Sequence, residues 1–198
     1  MGRTIRKAIY ELRDQVEQSK RAVYTHAQLA TLFGYSRDQI RVYAHRLVKK
    51  GFAFRPMEGV IAFSEDPYII ATQLIEPSYI SFSSALYFHG VLYQVPSIVE
   101  CITTRNPRHL TNLGIDYHKI NPSLFFGYSR LERGRSYAFV AEPEKAILDS
   151  VYFSKDFEQM TLESLPGLNK EKLRRYTEAF SCSHYGRKVM GWYLKHAE

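Results

Sequence analysis

The chain has 198 residues, 45% of them apolar and 14% aromatic, with a formal net charge of +7; this is enough apolar material for packed cores, which excludes a disordered polyelectrolyte and leaves room for one large domain or two small ones. Its two cysteines, Cys101 and Cys182, lie far apart without CxxC or Cys/His ligand spacing, which excludes a disulfide framework and a structural zinc site and predicts two reduced thiols. The N-terminal run MGRTIRKAIYELRDQ is charged and amphipathic, and no stretch approaches the roughly eighteen apolar residues of a membrane span, so a soluble, cytoplasmic protein is expected.

The charge is concentrated at one end. Residues 1–64 carry twelve Lys or Arg against five Asp or Glu, whereas residues 65–198 carry fifteen of each. That asymmetry is the expected footprint of a nucleic-acid-binding module joined to a neutral domain. From Thr4 to about Lys20, Ile5, Ala8, Ile9, Leu12 and Val16 recur at helical spacing and predict a first helix. THAQLATLFG predicts a short second helix, capped by Thr25 with Gln28 three residues on, burying Leu29, Ala30, Leu32 and Phe33 and stopped by Gly34. A tight turn at Gly34-Tyr35 leads to a third helix, SRDQIRVYAHRLVKKG, with Ser36 as N-cap, Gln39 completing the cap, Ile40, Ala44, Leu47 and Val48 inward, and Gly51 as the stop.

This arrangement predicts a helix-turn-helix whose third helix lies in the major groove. Its outward face carries Arg37, Asp38, Arg41 and His45, with Arg46 and Lys49 on the flank. Arginine pairs bidentately with guanine, and positions 37 and 41 stand one turn apart. His45 is read either as a DNA contact or as a solvated side chain. The following run FAFRPMEGVIAF reads as a two-stranded hairpin, the wing, with Arg55 placed to touch phosphate or the minor groove.

Pro67 and Pro77 flank DPYIIATQLIEP, a short apolar helix or linker that opens the second domain, the boundary falling between Ser64 and Ser78. The domains are accordingly 1–66, a winged helix-turn-helix, and 67–198, an α+β domain. ISFSSALYFHGVLYQVP predicts a mostly buried helix with Ser residues suited to its N-cap, Ala85, Leu86 and Phe88 inside it, and a stop at Gly90. SIVECITTR, GIDYHKI, SLFFGYSRL and RSYAFVA read as strands of a small mixed or mainly antiparallel sheet. EPEKAILDSVYF predicts a helix with Pro143 in its first turn and Ala146, Ile147, Val151 and Tyr152 inward. Two helices, about 169–180 and 184–196, end the chain; the basic residues Lys170, Lys172, Arg174, Arg175, Arg187 and Lys188 are read as a solvated face or a second anion contact.

The usual catalytic and nucleotide-binding motifs are absent from the sequence: GxGxxG, P-loop, HExxH and GxSxG. His89, His109, His118 and His184 are scattered among Tyr and Phe, and the acidic group Glu142, Glu144 and Asp149 lies on one helix, where the helix dipole accounts for the first two. A non-enzymatic protein is expected, with no catalytic residue, no metal ligand and no cofactor.

With these segments in place, the order of the winged helix, YISFSSALYFHGV with a strand ending ITTR, and AEPEKAILDSVY resembles the AbiEi-type antitoxins, transcriptional regulators of type IV (abortive-infection) toxin-antitoxin systems. The resemblance covers nearly the whole chain and is most specific at 79–91 and 141–152. It implies a winged helix that binds inverted repeats in its own promoter as an autorepressor, and a C-terminal domain that counteracts a nucleotidyltransferase-like toxin. The expected partners are thus double-stranded operator DNA and such a toxin, with no membrane partner. Arg37, Asp38, Arg41, His45, Arg46, Lys49 and Arg55 are the expected DNA-binding residues. Two other classes stay open: a winged-helix protein-interaction adaptor without specific DNA binding, and a nucleic-acid-processing enzyme with an unfamiliar site near His89 or the acidic helix.

Overall fold

The computed structural model describes residues 2–155, 167–181 and 186–196. Cys182, His184 and the expected start of the last helix at 184 lie outside the described residues, as do the side chains of Ile5, Ala8 and Ile9. The chain is mixed α+β and divides into two compact units, Met1–Glu76 with Leu131–Ala138, and Pro77–Arg130 with Phe139–Glu198. The helix after Asp66, expected to open the second domain, counts with the first unit.

In the first unit α1 (Gly2–Ser19), β1 (Val23–Thr25), α2 (His26–Phe33), α3 (Arg37–Lys49), β2 (Val60–Ala62) and α4 (Pro67–Leu74) follow one another. Thr25 and Ser36 cap α2 and α3, each in a complete capping box with Gln28 and Gln39. Gly34, at φ 67°, ends α2. The stop of α3 is a Schellman motif in which Gly51, at φ 71°, donates to the Val48 carbonyl at 2.9 Å and Phe52 donates to that of Leu47 at 3.0 Å. A β-carbon at either glycine would be forced into the left-handed region at a cost of about 1–2 kcal/mol.

The core of this unit joins Leu12, Val16, Tyr24, Leu29, Ile40, Ala44, Leu47 and Ile61. Leu32, expected inward, is 49% exposed. Leu29, Ala30 and Phe33 define the inward stripe of α2, and Leu32 stands about 100° from its middle on a 3.6-residue period. The expected hairpin over 52–63 is also reduced. β2 pairs antiparallel with β1 through Val23↔Ala62, Tyr24↔Ile61 and Thr25↔Val60, while the first apolar run contributes a single bridge, Phe54↔Ala62. Pro56 has no N–H to extend that bridge into a ladder.

One buried side chain organises the start of β1. The Gln73 carboxamide oxygen accepts from the N–H groups of Ala22 and Val23 at 2.8 and 3.1 Å, and its nitrogen donates to the Ser136 hydroxyl and the Tyr137 carbonyl at 3.1 and 2.9 Å. Ser136 in turn donates to the Lys20 carbonyl at 2.7 Å. Asp66 caps α4 through the N–H of Tyr68 at 2.9 Å and receives the Arg133 guanidinium on its other oxygen.

The remaining elements are β3 (Ser78–Ile80), α5 (Phe82–Phe88), β4 (Val99–Thr103), β5 (Arg108–Leu110), β6 (Ile115–Lys119), β7 (Tyr128–Arg133), β8 (Ser136–Ala141), α6 (Pro143–Tyr152), α7 (Lys170–Ser181) and α8 (Gly186–His196). The strands form one sheet in the order β5-β6-β4-β3-β8-β7. It is mixed, one of the two expected alternatives: β3 with β4 and β5 with β6 are antiparallel, and β4 with β6 and β3 with β8 are parallel. The strand expected over 123–131 begins only at Tyr128, because Asn121 and Pro122 start a 3-10 turn over Pro122–Leu124. Ser81 stands at the N-cap of α5 without capping it, and Phe82 follows at φ 52°, fully buried against the rings of His118 and Phe153 at 5.1 and 5.6 Å.

Replacing Gln73 with Leu roughly keeps the volume and removes the acceptor of the buried Ala22 and Val23 N–H groups. The expected loss is about 3 kcal/mol of stability or more, read as a lower urea midpoint.

Candidate nucleic-acid interface

The buried stripe of α3, Ile40, Ala44 and Leu47, leaves the opposite side of the helix in solvent. Asp38, His45 and Lys49 are exposed there and Arg41 at its edge, Arg37 is exposed in the first turn, and Arg46 is half-buried. Asp38 and Arg41 form an i,i+3 pair at 3.5 Å with side chains 91% and 72% exposed. Such a pair adds little stability in water, but it biases where the guanidinium points. Arg55 is exposed on the loop between α3 and β2.

That loop is tied down at its far end, where the N–H of His26 donates to the Gly59 carbonyl at 2.9 Å. His26 is the first residue of α2, and its half-buried ring has an enclosed Nε2 with no hydrogen-bond partner. Burial first, and then the positive charges of Arg55 and Arg41, hold its pKa below the ordinary 6.5. The structure therefore brings Arg41 of the helix and Arg55 of the loop to bear on one imidazole. His26 did not stand out in the sequence; its position directly after the capping Thr25 was the available signal. Positive charge on Arg41 and Arg55 that reaches the His26 ring is a field that suits an anion such as a phosphodiester.

The candidate chemistry of the second unit is dispersed into separate pairs. His89 Nε2 lies 2.9 Å from the Ala141 carbonyl, His109 pairs with Asp116 at 2.9 Å, and His118 lies 3.4 Å from Glu100. Glu100 also takes Lys155 at 2.6 Å; burial raises its pKa, but the bonds from His118 and Lys155 outweigh this and leave it below the usual value. The acidic trio on α6 does not converge. Glu142 accepts from Tyr176 at 2.6 Å and pairs with Lys172 at 3.3 Å, while Glu144 accepts from the Asn169 N–H at 2.7 Å. Asp149 pairs instead with Lys145, one turn back, both fully buried. Of the basic residues on the last helices, Lys172 is thus paired, Arg174 lies 3.8 and 3.5 Å from Glu171 and Glu178, and Lys188 meets Ser154. Among the described residues, no three His, Cys, Asp or Glu side chains are grouped to hold a metal ion.

The Lys145–Asp149 pair is closed by two hydroxyls. Lys145 donates to Tyr79 Oη at 2.8 Å, and Asp149 Oδ2 accepts from Tyr79 at 3.2 Å and Ser81 at 2.8 Å. Ser81 does not cap its helix; its hydroxyl donates to Asp149 instead. Burial pushes Lys145 down and Asp149 up, each towards its neutral form, and the partner's charge resists both shifts. The ammonium is further surrounded by the rings of Phe180, Phe126 and Tyr79 at 5.0, 5.2 and 5.3 Å.

Two measurements follow from this geometry. In an NMR titration the His26 ring protons should report protonation below pH 6.5, and Arg55→Gln should move that midpoint upward by removing one opposing charge. In urea unfolding, Lys145→Met should cost about 3–5 kcal/mol by leaving Asp149 charged and buried, and adding Asp149→Asn should recover about half of it or more.

No helix among the described residues is long and apolar enough to cross a membrane. No protein-family model matches the chain, and no curated protein matches it.

Proposed function

We propose that the first unit is a winged helix-turn-helix that binds duplex DNA in a sequence-specific way, with α3 as the reading helix and the loop around Arg55 as a short wing. The observation that carries this reading is the cationic surface of α3, with Arg37 exposed in its first turn, Arg41 and Lys49 exposed away from the buried stripe, and Arg55 on a loop anchored to α2. The order helix, strand, helix, helix, strand supports it, as does the antiparallel pairing of β1 with β2. Arginine and lysine supply phosphate contacts and most of the affinity; base-edge contacts from the first turns of α3 supply specificity.

In the cell this protein acts, on this proposal, as an autorepressing antitoxin of a type IV toxin-antitoxin system, opposed to a nucleotidyltransferase-like toxin. What supports that part is the resemblance of residues 79–91 and 141–152. The two runs also meet physically, since Tyr79 and Ser81 of the first bond Lys145 and Asp149 of the second. A residue set that closes one buried network is constrained as a unit, so the joint appearance of the two runs has a structural reason.

The test is a salt-titrated binding series of the full chain on its own upstream DNA, set against an unrelated duplex of equal length. Tighter binding upstream is expected, with log K falling linearly in log salt at about 0.9 per phosphate neutralised. Arg41→Ala should cost about 1–3 kcal/mol with relaxed sequence preference if it holds a guanine edge, or lower the salt slope by about one if it holds a phosphate. Weak binding of both duplexes without salt dependence would reject the DNA reading in favour of a protein-facing module.

A further inference from the structure

The exposed face of α3 contains one side chain that the charge argument leaves unexplained. Val42 is 47% exposed, the one large apolar side chain of this helix in solvent. Its neighbours one turn away are Asp38, Gln39, His45 and Arg46, so it has no apolar partner at helical spacing. A β-branched residue in solvent is also a poorer helix former than Ala, Lys, Arg or Gln. Neither a helical apolar pair nor helix propensity accounts for a valine there.

A major-groove surface does. Base edges in that groove offer hydrogen-bond donors and acceptors and a single apolar feature, the 5-methyl group of thymine. Val42 is flanked by the exposed Asp38, Arg41 and His45, the same stripe that faces the groove if α3 is the reading helix. Its χ1 is stiff, so little side-chain freedom is lost when its methyls are fixed against a ligand. We infer that Val42 is a specificity-determining residue that reads a thymine methyl group in the bound duplex, between the arginine contacts on one side and His45 on the other. The inference rests on the DNA-binding reading and names the base feature recognised at its centre.

The experiment uses the full chain and duplexes it selects from a randomised pool. Each thymine of the selected duplex is replaced in turn by deoxyuridine, which removes the methyl and leaves every hydrogen-bonding group. At one position per bound protomer, or two in adjacent steps, the parent should bind about threefold to tenfold more weakly, the scale of one or two methyl groups removed from water. Val42→Ala should bind the thymine and uracil forms equally, and Val42→Thr, which keeps one methyl, should fall between. Undiminished binding at every uracil position, or a loss that persists in Val42→Ala, would overturn the inference and leave the DNA-binding reading standing. Failure to enrich any duplex would overturn the DNA-binding reading and the inference with it.

Discussion

The geometry of the first unit depends on the full hydrogen-bond capacity of one carboxamide. Gln73 spends both acceptor positions on the amides of Ala22 and Val23 and both donor hydrogens on Ser136 and Tyr137, and no other side-chain type supplies two acceptors and two donors from one planar group except the shorter asparagine. The amides it holds start β1, β1 fixes the register of β2, and β2 ends the loop that carries Arg55. Because β1 runs directly into α2, the same constraint sets where His26 meets Gly59. The loop that carries Arg55 is thus registered by a buried neutral group that reaches the start of β1 from 51 residues further along the chain.

What could be read in the sequence is what is encoded locally. Both capping boxes, both glycine stops and the inward residues of α3 depend on side chains within a few positions of the backbone they serve, and all appear where the spacing places them. The parallel pairings of β4 with β6 and β3 with β8 have no local signature, and three-residue strands such as β3 and β5 are too short for alternation to show. Over 52–63 the apolar runs on either side of Pro56 look alike in sequence, although proline stops the first of them after a single bridge.

At the candidate site the same division holds. The exposure of Arg41 and Lys49 follows from helix phase, whereas the backbone contact of His26 is made by Gly59, in a loop far along the chain. Asp149 illustrates the opposite error. Grouped by sequence with Glu142 and Glu144, it points instead into a closed network with Lys145, Tyr79 and Ser81. Its one-turn offset from Lys145 was legible; that both would be fully buried was not, because α6 is covered on more sides than an amphipathic pattern implies.

The first unit is assembled from two separate stretches of chain, Met1–Glu76 and Leu131–Ala138. A gene segment ending at residue 66 or 76 would encode every residue of the cationic face, yet it would leave Gln73 without Ser136 and Tyr137, and Asp66 without Arg133. Recombination that exchanges whole domains at a single crossover therefore cannot transplant this head intact, and any lineage that kept the head had to keep the codons of the returning hairpin with it.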